Sequence, residues 1–318
     1  QMQINRVYFN QNEPINFSFV QNVDDFRVDE IGISKYVSHG RFAICKIKKT
    51  NITTWDMIKE LSIQLNISEQ QIGYAGLKDK SATTTQYVSI PAQIAQNINV
   101  FKHKNIQIED LQYSDSSIQK GDLDGNKFTI RLHNINPEDL HKIYQNISHI
   151  QKHGLPNYFG YQRFGFDDKF EKTQAVAYGE EIIKDKKLQH MLVSIYQSYI
   201  FNSWLVKRVE ISKENGLKKL QELDGDIYDY KNKDIITGIM PGNKIPRAKK
   251  EAGKLEEEFD DPFVVDFKGY RRAAWIKPQD IKNKFDAKDN SMLLEFVLPK
   301  SSYATVFVES LANKNFGY

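Results

Sequence analysis

The sequence holds a single cysteine, Cys45, among 318 residues. No intrachain disulfide can form, and zinc sites built from several thiolates are excluded. Such usage fits a reducing, cytoplasmic setting. No apolar run approaches the roughly 18 residues of a membrane-spanning helix, so no membrane association is expected. The opening Gln1-Met2-Gln3-Ile4 has no basic-then-apolar leader pattern. Charge of one sign is also scarce: 44 Lys and Arg against 41 Asp and Glu leave a net +3. Any basic surface for nucleic acid is therefore local rather than global. Without G-x-G-x-x-G there is no support for a dinucleotide fold. Lys80-Ser81 resembles the end of a phosphate loop, but Asp79 stands where glycine is required. No G-x-S-x-G elbow is present. His149 and His153 have the i, i+4 spacing of metal ligands, but no Glu follows His149, and a place on the wet side of a helix is expected for them. Repeats and low-complexity tracts are lacking as well.

What is present is a soluble composition, 40% hydrophobic and 27% charged, with length for two domains or for one large domain carrying an insertion. Residues 17–20, 26–31 and 42–48 alternate with period two, as strands of a sheet with one wet face do. Thr53 or Thr54 caps a helix whose apolar stripe is Trp55, Ile58, Leu61 and Leu65. Strand signals return at 83–90, 106–113 and 127–132, and a helix runs from Asn136-Pro137 to His153, stopping at Gly154. Residues 170–213 read as almost wholly helical. A turn-rich stretch follows, then a charged helix over 247–259 with a solvated face. Strands at 273–276 and 292–298 and an amphipathic segment at 303–311 complete the chain. Strands at both ends with a helical middle predict an α+β fold: a mixed or antiparallel sheet domain in two sequence pieces around a mainly helical insertion. The boundaries place the first piece at 1–153, the insertion at 154–269 and the second piece at 270–318. Two consecutive domains fit less well, because the last strand and helix would have no sheet to join.

Three segments can carry chemistry. In Gly76-Leu77-Lys78-Asp79-Lys80-Ser81 a carboxylate sits between two lysines, between a glycine turn and a strand. Flanking cations are expected to lower its pKa, and an ionised, oriented carboxylate can act as nucleophile or base. A surface ion pair is the plainer alternative. In Gly125-Asn126-Lys127-Phe128, Asn126 reads as a turn residue and Phe128 as a strand core residue. The loop Gly154–Gly165 packs aromatics, amides and Arg163 between glycines. Such a set can stack RNA bases and grip phosphates, or it can pack on itself as an interdomain loop.

Taken together, these segments resemble the TruD family of tRNA pseudouridine synthases. The resemblance is carried by Asp25-Phe26-Arg27-Val28-Asp29-Glu30, by Ala75-Gly76-Leu77-Lys78-Asp79-Lys80 with Thr83 and Gln86, and by Gly125-Asn126-Lys127-Phe128. It continues through Pro156-Asn157-Tyr158-Phe159-Gly160-Tyr161-Gln162-Arg163-Phe164-Gly165, Ser198-Tyr199-Ile200-Phe201-Asn202, Arg271-Arg272-Ala273 and Leu298-Pro299-Lys300-Ser301-Ser302-Tyr303-Ala304-Thr305. It spans the chain, more weakly at 1–24, 91–120 and 210–260. It implies isomerisation of uridine at position 13 of tRNA, with a flipped-out base and without cofactor or metal. Asp79 falls on the catalytic aspartate, and Lys78 is expected to share the catalytic site, where it or another cation keeps Asp79 ionised. Phe26, Asn126, Phe128 and Tyr303 fall on substrate-contacting positions; the family also has Phe where Tyr303 stands. Tyr158, Arg163, Arg271 and Arg272 are then expected to bind RNA, as are basic residues near 207–208 and 244–250. tRNA is the implied partner, and nothing in the pattern demands a second subunit, so a monomer is expected. A non-catalytic RNA-binding protein or RNA chaperone on the same scaffold is the rival reading; a hydrolase using Asp79 is a third.

Overall fold

The computed structural model describes residues 4–32, 36–165, 170–264 and 266–316. In chain order the elements are β1 (Phe26–Ile31), β2 (Phe42–Thr50), α1 (Thr54–Leu65), β3 (Gly73–Tyr74), β4 (Thr83–Pro91), β5 (Ile106–Ser114) and β6 (Gly125–Leu132). There follow α2 (Leu140–His153), β7 (Leu155–Pro156), α3 (Phe170–Ala177), α4 (Lys186–Glu214), β8 (Thr237–Met240) and α5 (Lys250–Glu257). The last elements are β9 (Tyr270–Ala273), β10 (Trp275–Ile276), β11 (Gln279–Asp286), β12 (Ser291–Pro299) and α6 (Ala304–Ala312). The class is α+β, as the sequence predicts. Among the described residues, no helix is long and apolar enough to cross a membrane. The chain divides into two compact units: one of Asn16–Glu138 and Pro278–Ser301, the other of Gln1–Ile15, Asp139–Lys277 and Ser302–Tyr318.

The first unit is built on an eight-stranded sheet of order β11-β12-β6-β1-β4-β2-β5, with β3 alongside β4. Its pairings are antiparallel except β1 with β4. Side chains alternate between faces, and the register assigns each face. Cys45 and Ile47 of β2 stand opposite Val88 and Gln86 of β4. Val28 of β1 stands opposite Phe128 of β6, and Phe128 opposite Phe296 of β12. These positions are buried. The other face carries Lys46, Lys48, Arg27, Lys127 and Glu295 and is wet there, as predicted, while Ile44 on that face is buried with Ala75 and Ile118.

Helix α1 covers part of the buried face. The Thr53 side chain accepts from the Asp56 amide, and Asn66 closes the helix in the left-handed region at φ 53°. Met57, Ile58, Leu61 and Leu65 pack with Ala43, Cys45 and Ile47 in one core. Trp55 departs from the expected stripe: Met57 takes the inward place and Trp55 is 55% exposed. The run expected as a strand at 17–20 contributes only the Ser18–His133 bridge. Strand β11 gives no apolar signal because it is an edge strand with a mostly exposed, polar pattern.

The second unit is largely helical. The stretch expected as one helix over 170–213 is two, α3 and α4. Gly179, at φ +74°, ends the first, and the Asp185 side chain accepts from the Lys187 and Leu188 amides to cap the second. Val176 and Ala177 pack against Leu192, Val193 and Tyr196. Residues of α6 are buried along its whole length. Its Glu309 receives Arg6 Nη2 at 2.6 Å and the Tyr8 hydroxyl at 2.7 Å, which binds the N-terminal segment to it. The expected charged helix shortens to α5, and Glu256 is not on a solvated face: it is buried and paired with Arg271 at 2.7 Å.

Candidate active site

The loop from Gly76 to Asp79 is held by its main chain. Lys49, the penultimate residue of β2, is 0% exposed. Its ammonium donates to the carbonyl oxygens of Ile52 at 2.8 Å, Lys78 at 3.3 Å and Asp79 at 2.8 Å. The Lys78 amide donates to Thr54 Oγ1 at 2.9 Å, and that hydroxyl donates to Gln86 Oε1 at 3.0 Å. Lys78 Nζ reaches Glu30 Oε1 at 2.7 Å, and Glu30 Oε2 accepts from the Tyr87 amide at 2.9 Å. Both side chains of the Lys78–Glu30 pair are withdrawn from water. Four elements (β1, β2, α1 and β4) thus fix a short irregular segment whose backbone polar groups would otherwise be unsatisfied.

The Asp79 carboxylate makes no hydrogen bond or salt bridge among the described residues. It is open to solvent on one side. Protein crowds it from the others, and this desolvation raises its pKa above the ordinary aspartate value, with Lys49 and then Lys78 pulling it down. The net direction is upward, which corrects the expectation that flanking lysines lower it. Lys49 opposes the shift more strongly than Lys78, which is committed to Glu30. Burial in turn depresses the Lys49 pKa to about 8, opposed by Asp79.

Local sequence pattern does not single out Lys49 and Glu30, yet parity marks both. Ala43, Cys45 and Ile47 face inward, so Lys49 does too. Phe26 and Val28 face inward, so Glu30 follows.

The same face brings the expected substrate residues together. Glu30 is opposite Asn126, and Phe128 lies two residues further along β6. The rings of Phe26 and Phe128 are 6.1 Å apart, and Phe128 stacks on Phe296 at 5.6 Å. Both phenylalanines are buried. The Asn126 Oδ1 atom is buried with no hydrogen-bond partner. An unmet buried acceptor on this face is a group that a ligand donor can satisfy.

The other expected residues belong to the second unit. Tyr303 is the N-cap residue of α6, and its ring is 6.0 Å from Phe159. Gly160 is required there: a Cβ on it would lie 2.6 Å from Thr305 Oγ1 and 2.9 Å from the Tyr303 ring.

Three of the expected RNA-binding residues are structural instead. Tyr158 is 0% exposed, and its hydroxyl donates to Val7 O at 2.9 Å, so no ring face is open for a base. The Arg272 guanidinium is buried over the Phe159 ring at 4.0 Å and donates to Asn157 O at 3.1 Å and Oδ1 at 3.0 Å. Arg271 is tied to Glu256 at 2.7 Å and to Thr237 O at 2.6 Å. Arg208, near which phosphate contacts are expected, is buried against Asp226 at 2.7 Å. Arg163 is half-buried and donates to Ser198 Oγ at 3.1 Å and to Ser194 Oγ. The aromatic–arginine loop is therefore held chiefly by the N-terminal segment, α4 and β9, through Val7, Ser198, Asn202 and Arg272. His149 and His153 are also half-buried rather than wet, with ring centroids 4.9 Å apart.

Comparison with known proteins identifies the family. The model of the family tRNA pseudouridine synthase D (TruD) matches residues 4–186 and 175–311. A tRNA pseudouridine synthase D from a Nitratiruptor species is 34% identical over 356 residues, covering 98% of this chain and 99% of that protein. One from Wolinella succinogenes is 34% identical over 355 residues, covering 97% and 98%. A crystal structure from Methanosarcina mazei, described under the TruD name, superposes with a TM-score of 0.72 at 23% identity, covering 99% of this chain and 97% of that one, a likeness of fold. On these matches, the chain belongs to the TruD family of tRNA pseudouridine synthases.

Proposed function

We propose that this protein isomerises uridine at position 13 of tRNA to pseudouridine, with Asp79 as the catalytic carboxylate. The observation that carries the reading is the clamp around residues 76–79, which fixes the main chain and leaves the Asp79 carboxyl unpaired and open. A surface ion pair needs no such support.

In the reaction the N1–C1′ bond breaks, the base turns, and a C5–C1′ bond forms while the C5 proton is lost and N1 gains one. The uridine first leaves its stack, at a cost of a few kcal/mol (order of magnitude). Asp79 attacks the ribose at C1′ or takes the ribose proton that starts elimination; both steps use the same ionised carboxylate. Lys49 and Lys78 favour that ionised form against desolvation. Phe26 and Phe128 supply an apolar wall that keeps the detached uracil from water. The free Asn126 Oδ1 accepts from the uracil edge or the ribose. Tyr303 is a third substrate contact, and Arg163 with exposed lysines supplies phosphate contacts. Residues 154–269 form the family-specific insertion. The enzyme works in the cytoplasm as a monomer, without metal or cofactor.

The test is tritium release from tRNA labelled at uridine C5. Asp79→Asn is expected to bind tRNA and release no tritium. Release at a substantial fraction of the wild-type rate would remove Asp79 from this role and favour the RNA-binding or chaperone reading. Free uracil or cleaved RNA as product would favour a hydrolase.

A further inference from the structure

A cavity of about 550 Å³ opens beside the loop that carries Asp79, within the sheet-containing unit. Gly76 and Leu77, three and two residues before Asp79, form part of its wall. Trp55 and Leu77 line it and are 55% and 58% exposed. Trp55 stands edge-on to Tyr74, with ring centroids 5.9 Å apart. Buried Ile118 contributes to the lining, as do exposed Gln70 and Lys120. None of the described lining residues is acidic.

None of these side chains serves the uridine site described above. Trp55 and Leu77 are large exposed apolar side chains lining one cavity, not hydrophobics scattered singly over the surface. The cavity volume lies in the range of roughly 300–1,000 Å³ typical of small-ligand clefts. The chemistry offered is an aromatic face, an amide and a cation without a competing carboxylate. That combination suits a nucleobase with its phosphate: the ring stacks, the amide meets a base edge, and the ammonium meets the backbone. Two or three residues of chain separate this wall from Asp79, the reach of a neighbouring nucleotide rather than of a distant part of the RNA.

We infer that this cavity is a base-stacking subsite for one unpaired nucleotide flanking the target uridine, with its base on Trp55 and its phosphate at Lys120. The inference rests on the proposed function, since the nucleotide belongs to the RNA substrate. Parking a second base here holds the substrate in its unstacked form, which helps extrude the uridine.

The experiment measures steady-state pseudouridine formation in unmodified tRNA by the full chain and three variants. Trp55→Ala is expected to raise KM about tenfold, the effect of losing one stacked base, with kcat retained. Trp55→Phe, which keeps a ring, recovers most of the loss, and Lys120→Gln raises KM by a smaller factor. In parallel, with Trp275→Phe as the background because Trp275 is only half-buried, a short uridine-rich single-stranded RNA quenches tryptophan fluorescence, and the quenching is lost when Trp55→Phe is added; Trp204 is buried and out of reach. Unchanged KM in Trp55→Ala, or quenching that persists in Trp55→Phe, overturns the subsite while leaving the enzyme reading intact. A Trp55→Ala variant that loses kcat and stability without a change in KM overturns it too. Failure of the wild-type chain to form pseudouridine in any tRNA is the separate result that removes the proposed function.

Discussion

Lys49 donates its ammonium to the main-chain carbonyl of Asp79 at 2.8 Å, from a side chain with no exposed surface. The contact fixes where the Asp79 backbone lies, and the same ammonium favours the ionised carboxylate. One residue thus sets both the position and the charge of the proposed nucleophile.

Removing that ammonium strands three carbonyl oxygens. Lys49→Met is expected to cost about 1–3 kcal/mol of stability, the usual penalty for unsatisfied buried groups. It is also expected to lower kcat by one to two orders of magnitude (estimate), as catalytic geometry loosens. Thermal unfolding and single-turnover rates check the two effects separately. A variant that unfolds earlier yet keeps the wild-type rate would limit Lys49 to a packing role.

The pH dependence has a defined sign. Desolvation raises the Asp79 pKa above the ordinary aspartate value, and Lys49 is the first charge opposing it. Activity needs the ionised form, so kcat/KM falls as pH drops through the raised value, earlier than for an exposed aspartate. In Lys49→Met the opposing charge is gone, the pKa rises further, and the acid limb moves to higher pH. An acid limb unmoved by this substitution would contradict the electrostatic part of the account.

Phe128 stacks on Phe296 at 5.6 Å and is buried, so truncation to Ala mixes function with stability. Such a change costs about 3–5 kcal/mol. Phe128→Leu keeps most of the volume and removes the ring. It is expected to lower kcat more than tRNA affinity, measured by filter binding. Equal loss of both would mark Phe128 as core alone.

Arg272 sits over Phe159 at 4.0 Å and is spent on Asn157. Arg272→Gln is expected to cost about 1.5–3 kcal/mol of stability through lost charged hydrogen bonds. The salt dependence of tRNA binding stays as in the wild type. A slope reduced by about one in log–log form would instead make Arg272 a phosphate contact.

Much of the fold is legible because the sheet has one wet face. Alternation in 26–31, 42–48 and 127–132 marks β1, β2 and β6 directly. The same parity carries the less obvious lesson. Lys49 closes a run whose Lys46 and Lys48 look outward, and it reads as one more surface lysine until its register with Ala43, Cys45 and Ile47 is counted. Glu30 is masked in the same way by Arg27 and Asp29. Local pattern alone cannot show that an inward charge is satisfied, because Lys78 reaches Glu30 across 48 residues.

The arginines show the opposite failure. Arg272, Arg271 and Arg208 look like phosphate ligands in a list of cations, but each meets an acceptor or ring brought to it by tertiary packing. Trp55 fits the helical stripe by spacing, but Met57 fills the inward place and leaves the indole in water. On the proposed function, a near-neutral chain that uses Arg208, Arg271 and Arg272 internally leaves its RNA contacts to Arg163 and to exposed basic residues and rings.

The most direct test is to incubate the full chain with unmodified tRNA and map pseudouridine position by position, beside Asp79→Asn. The account predicts pseudouridine at position 13 with the wild type and none with the variant. Pseudouridine formed only at other positions, or formed at position 13 by Asp79→Asn, would contradict it.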